Sequence, residues 1–344
     1  MRAAHVTGYG DPEEAIEIVD VETPEPGPGE ARVRVAACSL NHLDVFARTG
    51  HPSEEDVFPK RTGVDIAGTV DAVGSGVDEA WVDEDVVVYP DVSCGECEFC
   101  EAGEQTMCPE YEIIGEDRPG GLAEYVVVPA WNLERTDLDP VTAAAVPVTF
   151  TTAWRMIVTA GGLRPAETAL VLGASGGVGN AALRIARRLG ATTYVTTSSE
   201  RKAERLRPMA EAVVDYTEEP FDERVRELTD GRGVDLVAEH VGQETWQRSI
   251  DSLAPGGRMV VCGATSGADP DIDIRSLYQS HRRIVGAPMG NRADFRAVLG
   301  LVEAGELEPQ VDRVLPLERV AEGHRVIEDR EVLGKVVVDV GLES

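Results

Sequence analysis

Through the first 130 residues apolar and polar positions alternate in short runs. Ala31-Arg32-Val33-Arg34-Val35-Ala36 repeats every second residue, as a strand with one buried face does, and the Pro- and Gly-rich stretch 24–29 before it is a turn region. Further short strands are predicted at 66–70, 85–88 and 124–128, so this part reads as mostly β. Past residue 140 the pattern changes. Segment 140–161 is rich in Ala and poor in turn residues, which predicts helix. From residue 168 onward apolar strands at 169–172, 193–196, 212–214, 235–238, 258–262 and 283–285 alternate with amphipathic helices. That β-α-β-α rhythm is the signature of a doubly wound parallel sheet. The tail predicts helices near 292–304 and 318–329 and a strand at 334–338 that returns to the β-rich part. The fold class is therefore α/β. The expected division is a β-rich domain of 1–145 and 289–344, with a dinucleotide-type domain of 146–288 between its halves. There are no internal repeats and no low-complexity segment.

The predicted strand 169–172 runs into Gly173-Ala174-Ser175-Gly176-Gly177-Val178-Gly179, and a helix is predicted from Asn180 to Leu189. In a strand–loop–helix setting this Ala-x-Gly-x-x-Gly run suits a dinucleotide pyrophosphate. Gly176 lets the phosphates approach the backbone, Gly179 lets the helix pack on its strand, and the helix N-terminus offers free N–H groups and a positive dipole end. The end of the second strand chooses between cofactors, because a carboxylate there accepts the ribose 2′-hydroxyl of NAD and repels a 2′-phosphate. The segment here is Thr196-Thr197-Ser198-Ser199-Glu200-Arg201-Lys202. Thr197 is not acidic, and Ser198, Ser199, Arg201 and Lys202 are phosphate-compatible, which favours NADP(H) over NAD(H). Glu200 is a counter-signal that reads as the start of the next helix, and Arg201 and Lys202 also fit a solvated helix face.

Four of the six cysteines, Cys94, Cys97, Cys100 and Cys108, are spaced Cys-x2-Cys-x2-Cys-x7-Cys. Four soft thiolates at this spacing suit one tetrahedral zinc with no position left for water or substrate, hence a structural site within a lobe at 94–108. The alternatives are an oxidised, disulfide-bonded lobe and an iron–sulfur cluster.

Charge narrows the partners. With 62 acidic and 32 basic residues the formal net charge is −30, which repels nucleic acid. The acids are spread along the whole chain rather than gathered in a tail. Lysine occurs only as Lys60, Lys202 and Lys335. A dispersed acidic surface poor in Lys resembles proteins of extreme halophiles, where molar salt shortens the screening length to about 3 Å. The bland alternative is an ordinary acidic protein. No run approaches the roughly 18 apolar residues of a membrane helix, and the N-terminal residues lack a signal-peptide core, so a cytoplasmic protein that does not engage membrane is expected.

Taken in order, the cysteine lobe, Gly121-Leu122-Ala123-Glu124-Tyr125 and the loop Gly173 to Gly179 resemble the medium-chain dehydrogenase/reductase superfamily over essentially the whole chain. The resemblance implies a chaperonin-10-like β-barrel catalytic domain completed by the C-terminal tail, an inserted Rossmann domain, an active site in the cleft, and a homodimer or homotetramer with 283–287 at a dimer edge. The family's zinc alcohol dehydrogenases hold a catalytic zinc through the Cys of Cys-x-Thr-Asp, the His of Gly-His-Glu and a later Cys or acidic residue. Here those motifs read Asn41-His42-Leu43-Asp44, Gly63-Val64-Asp65 and Pro147-Val148-Thr149. Asn41, Val64 and Val148 stand at the ligand positions, and Leu43 removes a proton-relay hydroxyl. These changes resemble the zinc-independent branch of quinone, enone and enoyl reductases, whose Asn-x-x-Asp pattern matches Asn41 and Asp44. Where some quinone reductases carry Tyr this chain has Phe46, which donates no proton.

The implied reaction is hydride transfer from NADPH to a carbonyl, quinone or activated alkene carbon, with polarisation by hydrogen-bond donors. Asn41 is the first candidate donor, with a structural Asx contact as its alternative. Asp44 orients neighbours, Asp65 bonds a loop at the pocket, and His42 contacts cofactor, relays a proton or is a plain surface residue. Thr149 and Thr152 reach toward nicotinamide or cap a helix, while Gly242 and Gly263 flank the cofactor at strand ends. Loops 48–59 and 286–291 are expected to shape the pocket. A catalytic zinc rebuilt from Asp65, His42, Asp44 and Cys38 would make the chain an NADP-dependent alcohol dehydrogenase. A third reading is a non-catalytic NADPH-binding protein.

Overall fold

The computed structural model describes residues 1–50 and 57–342. They form two compact units, Met1–Val148 with Pro309–Ser344, and Thr149–Glu308.

In the first unit the strand Glu30–Leu40 is the hub. It pairs antiparallel with Tyr125–Pro129, Asp65–Val73 and Lys335–Asp339, within a seven-stranded sheet that also holds Asp85–Val88, Leu133–Arg135 and Val311–Pro316. Along its first half Ala31, Val33 and Val35 are buried while Arg32 and Arg34 reach outward, as the alternation requires. From Ala37 to Leu40 every residue is buried. Both faces are covered there, and this is the stretch that leads into Asn41. Apolar side chains from these strands and from the C-terminal helix Val320–Glu328 make one core that includes Val33, Ile66, Val86, Val126, Leu315, Val326 and Val336. The tail strand therefore completes the β-rich unit, as the apolar run at 336–338 implies.

The second unit is a six-stranded parallel sheet. Ala212–Asp215, Thr192–Thr197, Thr168–Val171, Val234–Glu239, Leu253–Val261 and Arg283–Gly286 lie side by side in that order. The chain enters at a central strand, runs out to one edge, and returns to build the other. This leaves a topological switch point between Thr168–Val171 and Val234–Glu239. The helix after the first strand spans Gly177–Arg188, three residues earlier than its sequence pattern suggests, because the glycines themselves form its first turn.

The domain boundaries differ from the expectation. Segment 289–308 belongs to the parallel-sheet unit, and the front boundary falls after Val148 rather than after residue 145. The helix Arg292–Glu303 is tied there by Asp294, which accepts from Thr159 Oγ1 and lies 3.5 Å from the Arg155 guanidinium, while Phe295, Val298 and Val302 are buried. Periodicity locates such a helix but says nothing of which sheet it covers. Segment 140–161 is helical in two pieces, Pro140–Ala144 and Pro147–Trp154, followed by a wider π turn at Arg155–Thr159. No helix among the described residues is long and apolar enough to cross a membrane.

Candidate functional site

Strand register assembles a buried polar cluster in the first unit. Ser39 stands opposite Asp65 and Leu40 opposite Val336, so Asn41, Asp65 and Lys335 converge where three chain segments meet. Asp65 is fully buried and both of its oxygens are engaged. Its Oδ2 accepts from Ser39 Oγ at 2.9 Å, Asn41 Nδ2 at 3.0 Å and Lys335 Nζ at 2.9 Å, and its Oδ1 accepts from the Val148 N–H at 2.7 Å. A carboxylate at the first turn of the helix Pro147–Trp154 is also favoured by the helix dipole. Lys335 Nζ makes three donations, to Asp65 Oδ2, to Asn41 Oδ1 at 2.5 Å and to the Leu40 carbonyl at 2.9 Å. A buried ammonium is tolerable only when paired and saturated in this way.

Asp44 lies one step behind the cluster. Its two oxygens each accept a backbone N–H, from Asn41 and from Gly63, both at 2.7 Å. Burial nevertheless pushes its carboxyl up to about 6. Gly63 has φ +101°, and a Cβ there would come within 2.7 Å of the Leu122 nitrogen and 2.8 Å of Cys38 Sγ, so only glycine fits. His42 is exposed, its ring near that of Phe46, and it takes no part in the cluster. Asn41, Asp44 and Asp65 are thus brought together, and His42 is not. The oxygens of Asp65 and Asp44 are engaged by donors of the site itself, so the two carboxylates hold Asn41 and its neighbours in place. Lys335 escaped the sequence reading because it lies 270 positions from Asp65 and no motif surrounds it.

A catalytic zinc does not fit these residues. Val64 and Val148 offer no donor atom, and the oxygens of Asn41 and Asp65 are already engaged by an ammonium. Cys38 Sγ lies against Gly63 and Gly121, and burial raises its thiol well above the usual range. Among the described residues, only Cys94, Cys97, Cys100 and Cys108 group as metal ligands. There the fit is good. The four Sγ atoms lie within 4.8 Å of one another, with Cys94 3.9 Å from Cys100 and 3.5 Å from Cys108. A tetrahedron with zinc–sulfur bonds of about 2.3 Å needs sulfurs about 3.8 Å apart. The N–H groups of Cys94 and Glu110 point at Cys108 Sγ, as they would at a thiolate. No disulfide is formed.

In the second unit the glycine loop sits at the switch point. The loop is pinned by Thr196, whose Oγ1 accepts from Gly173 N and whose carbonyl accepts from Ala174 N. His240 Nε2 is 2.9 Å from the Leu172 carbonyl and its ring lies beside Gly173. Helix formation from Gly177 leaves the N–H groups of Gly177, Val178 and Gly179 without intrahelical acceptors, the arrangement that binds phosphate. Ser175 is buried within the loop. Opposite, the fully buried Glu239 accepts from the N–H groups of Val241 and Gly242 and from Thr245 and Ser249, which fixes the turn at Gly242; Gly263 packs on the His240 carbonyl. Neither His240 nor Glu239 carries a motif that sequence reading can seize.

At the end of the second strand Thr197 is buried and its hydroxyl has no partner among the described residues. Ser198 is half-buried and Arg201 is exposed, whereas Lys202 is buried and so does not belong to a solvated face. Glu200 begins the helix Glu200–Leu206 and pairs with Arg207. Thr149 and Thr152 are buried in the helix Pro147–Trp154, and Thr152 Oγ1 lies 3.6 Å from Met289 Sδ. Of the pocket loop 48–59, residues 51–56 lie outside the described residues.

Residues 27–137 match the alcohol dehydrogenase GroES-like domain and 177–304 the zinc-binding dehydrogenase family. A crotonyl-CoA reductase of Streptomyces collinus is 33% identical over 98% of this chain and 84% of its own length. A quinone oxidoreductase of Pseudomonas aeruginosa is 32% identical over 96% of this chain and 97% of its own. A crystal structure of an NAD-dependent alcohol dehydrogenase superposes with a TM-score of 0.94 at 43% identity, covering 99% of this chain and all of that one.

Proposed function

This chain belongs to the medium-chain dehydrogenase/reductase superfamily, and we propose that within it the protein is an NADP(H)-dependent reductase of carbonyl, quinone or enone carbons that works without a catalytic zinc. The observation that carries this is the cluster of Asn41, Asp65 and Lys335, whose donor oxygens are saturated by an ammonium, with valines at the other two ligand positions. The Cys lobe holds the single zinc of the chain in a structural role.

Bound nicotinamide supplies the hydride. The chain's own part is to bind and to orient. The N–H groups from Gly177 to Gly179 hold the pyrophosphate, and the absence of a carboxylate at Thr197 and Ser198, with Arg201 exposed nearby, suits a 2′-phosphate. Asn41, 7% exposed, is the member of the polar cluster that reaches its edge, and Nδ2 is its only donor. One Nδ2 hydrogen goes to Asp65; the other has only a 3.5 Å contact with the Ser39 carbonyl and is available to a substrate oxygen gaining negative charge. The reading also takes the protein to be cytoplasmic, adapted to high salt, and a homodimer or homotetramer. The strand Arg283–Gly286 ends the parallel sheet, and Ile274 and Tyr278 in the preceding helix are exposed.

A second reading, an alcohol dehydrogenase with a rebuilt metal site, is favoured by the alcohol dehydrogenase structure at 43% identity. Elemental mass spectrometry of protein purified in high salt separates the two. One zinc per chain, with NADPH consumed by quinones, enones or enoyl thioesters, is the expected result. Two zincs and chelator-sensitive alcohol oxidation would overturn the proposal.

A further inference from the structure

We propose that Lys335 is a positioning residue of the catalytic unit, which acts through Asn41 by orienting and polarising its amide and by balancing the charge of Asp65 beside it. This rests on the zinc-free reading above.

The placement is rigid. Lys335 is 3% exposed, its N–H donates to the Gln310 carbonyl at 2.8 Å, and its strand is paired on both sides. All three ammonium hydrogens are committed to oxygens, so Lys335 has none to give a substrate. Its influence passes through the amide it holds. Nζ donates to Asn41 Oδ1, which draws electron density through the amide and strengthens Nδ2–H as a donor. The same contact fixes which way the amide points, oxygen toward Lys335 and nitrogen toward Asp65.

The charge balance explains why a cation is required. Asp65 and Asp44 are both buried near Asn41, and Lys335 acts on Asp44 as well as on Asp65. Without Lys335 two carboxylates would surround the amide and repel an oxygen gaining negative charge as hydride adds to its carbon. With it, Asp65 is neutralised and the amide faces the substrate from a site of much lower negative potential.

The test uses zinc-loaded full-length protein and three forms: wild type, Lys335→Met, and the double variant Lys335→Met/Asp65→Asn, which removes both charges and so avoids a lone buried carboxylate. NADPH oxidation is followed with 9,10-phenanthrenequinone and crotonyl-CoA as probes, and NADPH affinity by fluorescence. Asparagine occurs only at 41, 132, 180 and 291, so [15N]Asn labelling gives four side-chain amide signals, with Asn41 identified by its loss in Asn41→Ala. The expected result is kcat reduced about a hundredfold in Lys335→Met, where Asp65 is left unbalanced, and a double variant with the melting temperature and NADPH affinity of the wild type, KM within threefold, and kcat reduced about tenfold by loss of the Lys335 contact with the Asn41 amide. The Asn41 amide signal moves more than those of Asn132, Asn180 and Asn291. A double variant that melts like the wild type and keeps kcat within threefold would show Lys335 to be merely structural and overturn the proposal. So would an Asn41 signal unmoved by Lys335→Met. If the wild type reduces neither probe, the functional reading fails on its own, and the amide signal still decides whether Lys335 governs Asn41.

Discussion

Two glycines three residues apart in the nucleotide loop are expected to fail in opposite ways when given a methyl group. Gly176 caps the helix Gly177–Arg188 with φ −80° and ψ 172°, a conformation open to any residue. The nearest non-neighbouring atom to a Cβ there, the Gly173 carbonyl oxygen, is 3.5 Å away. Gly176→Ala should therefore leave the melting temperature within about 2 °C, since the small capping loss is offset by reduced freedom of the unfolded chain. Its methyl instead occupies the space through which a pyrophosphate reaches the backbone. Loss of one charge-assisted hydrogen bond, about 1.5–3 kcal/mol, weakens NADPH binding about 10- to 100-fold. At Gly179 a Cβ would lie 2.4 Å from the Gly173 oxygen and 2.8 Å from the Leu172 oxygen, all of it backbone. The helix must retreat by about 1 Å, at a cost of about 1–3 kcal/mol, or about 3–10 °C in melting temperature. Thermal melts with and without NADPH, together with fluorescence titration, read both. Gly176→Ala protein that binds NADPH within threefold of the wild type would refute the placement of the pyrophosphate. An unshifted Gly179→Ala melt would refute the rigidity of the helix contact.

Thiol titration checks the metal lobe: none of the six cysteines should react quickly with Ellman's reagent in the zinc-loaded protein, and four should react after chelation. Cys38 and Cys262 stay silent because burial raises both thiols, Cys262 to about 12. His324 is fully buried with both ring nitrogens unpartnered among the described residues, and burial, with Arg48 adding to it, lowers its pKa to about 3. The unfolded chain takes up a proton below its ordinary value of 6.5 while the folded one does not, so stability falls as pH drops from 6.5 toward 3. At pH 5 the loss from this ring is about 2 kcal/mol, so His324→Leu should gain about that much on the wild type between pH 7 and pH 5 in urea melts. An equal slope in the variant would show that the ring is hydrated in solution. Ser198→Asp should weaken NADPH binding about tenfold or more relative to NADH, read by paired titrations. Unchanged preference would move the 2′-phosphate site elsewhere.

Order and periodicity along the chain sufficed for both layers of the fold. Alternation at 31–36, the strand–helix rhythm from 168 to 285 and the glycine loop are local patterns, and a local pattern is enough to specify a strand, a helix or a turn. The cysteine spacing is equally local, which is why the cluster of Cys94, Cys97, Cys100 and Cys108 was legible to the residue. The candidate catalytic site was legible only in part. Asn41, Asp44 and Asp65 could be named because they sit near one another in sequence and align with motifs. Their roles could not be named, because a role depends on which lone pairs and hydrogens remain after folding. Asp65 proves to be spent on Ser39, Asn41, Lys335 and Val148. Lys335 reaches them only through the antiparallel pairing of the last strand with Glu30–Leu40, and such pairing is fixed by the packing of distant segments, not by any neighbour in the chain. The same holds for His240 beside Gly173 and for the helix Arg292–Glu303, whose apolar stripe was plain while its partner was not. Sequence determined which residue types and elements exist. Tertiary structure decided which of their polar atoms are already satisfied, because burial leaves a buried charge no alternative to finding a partner inside the fold.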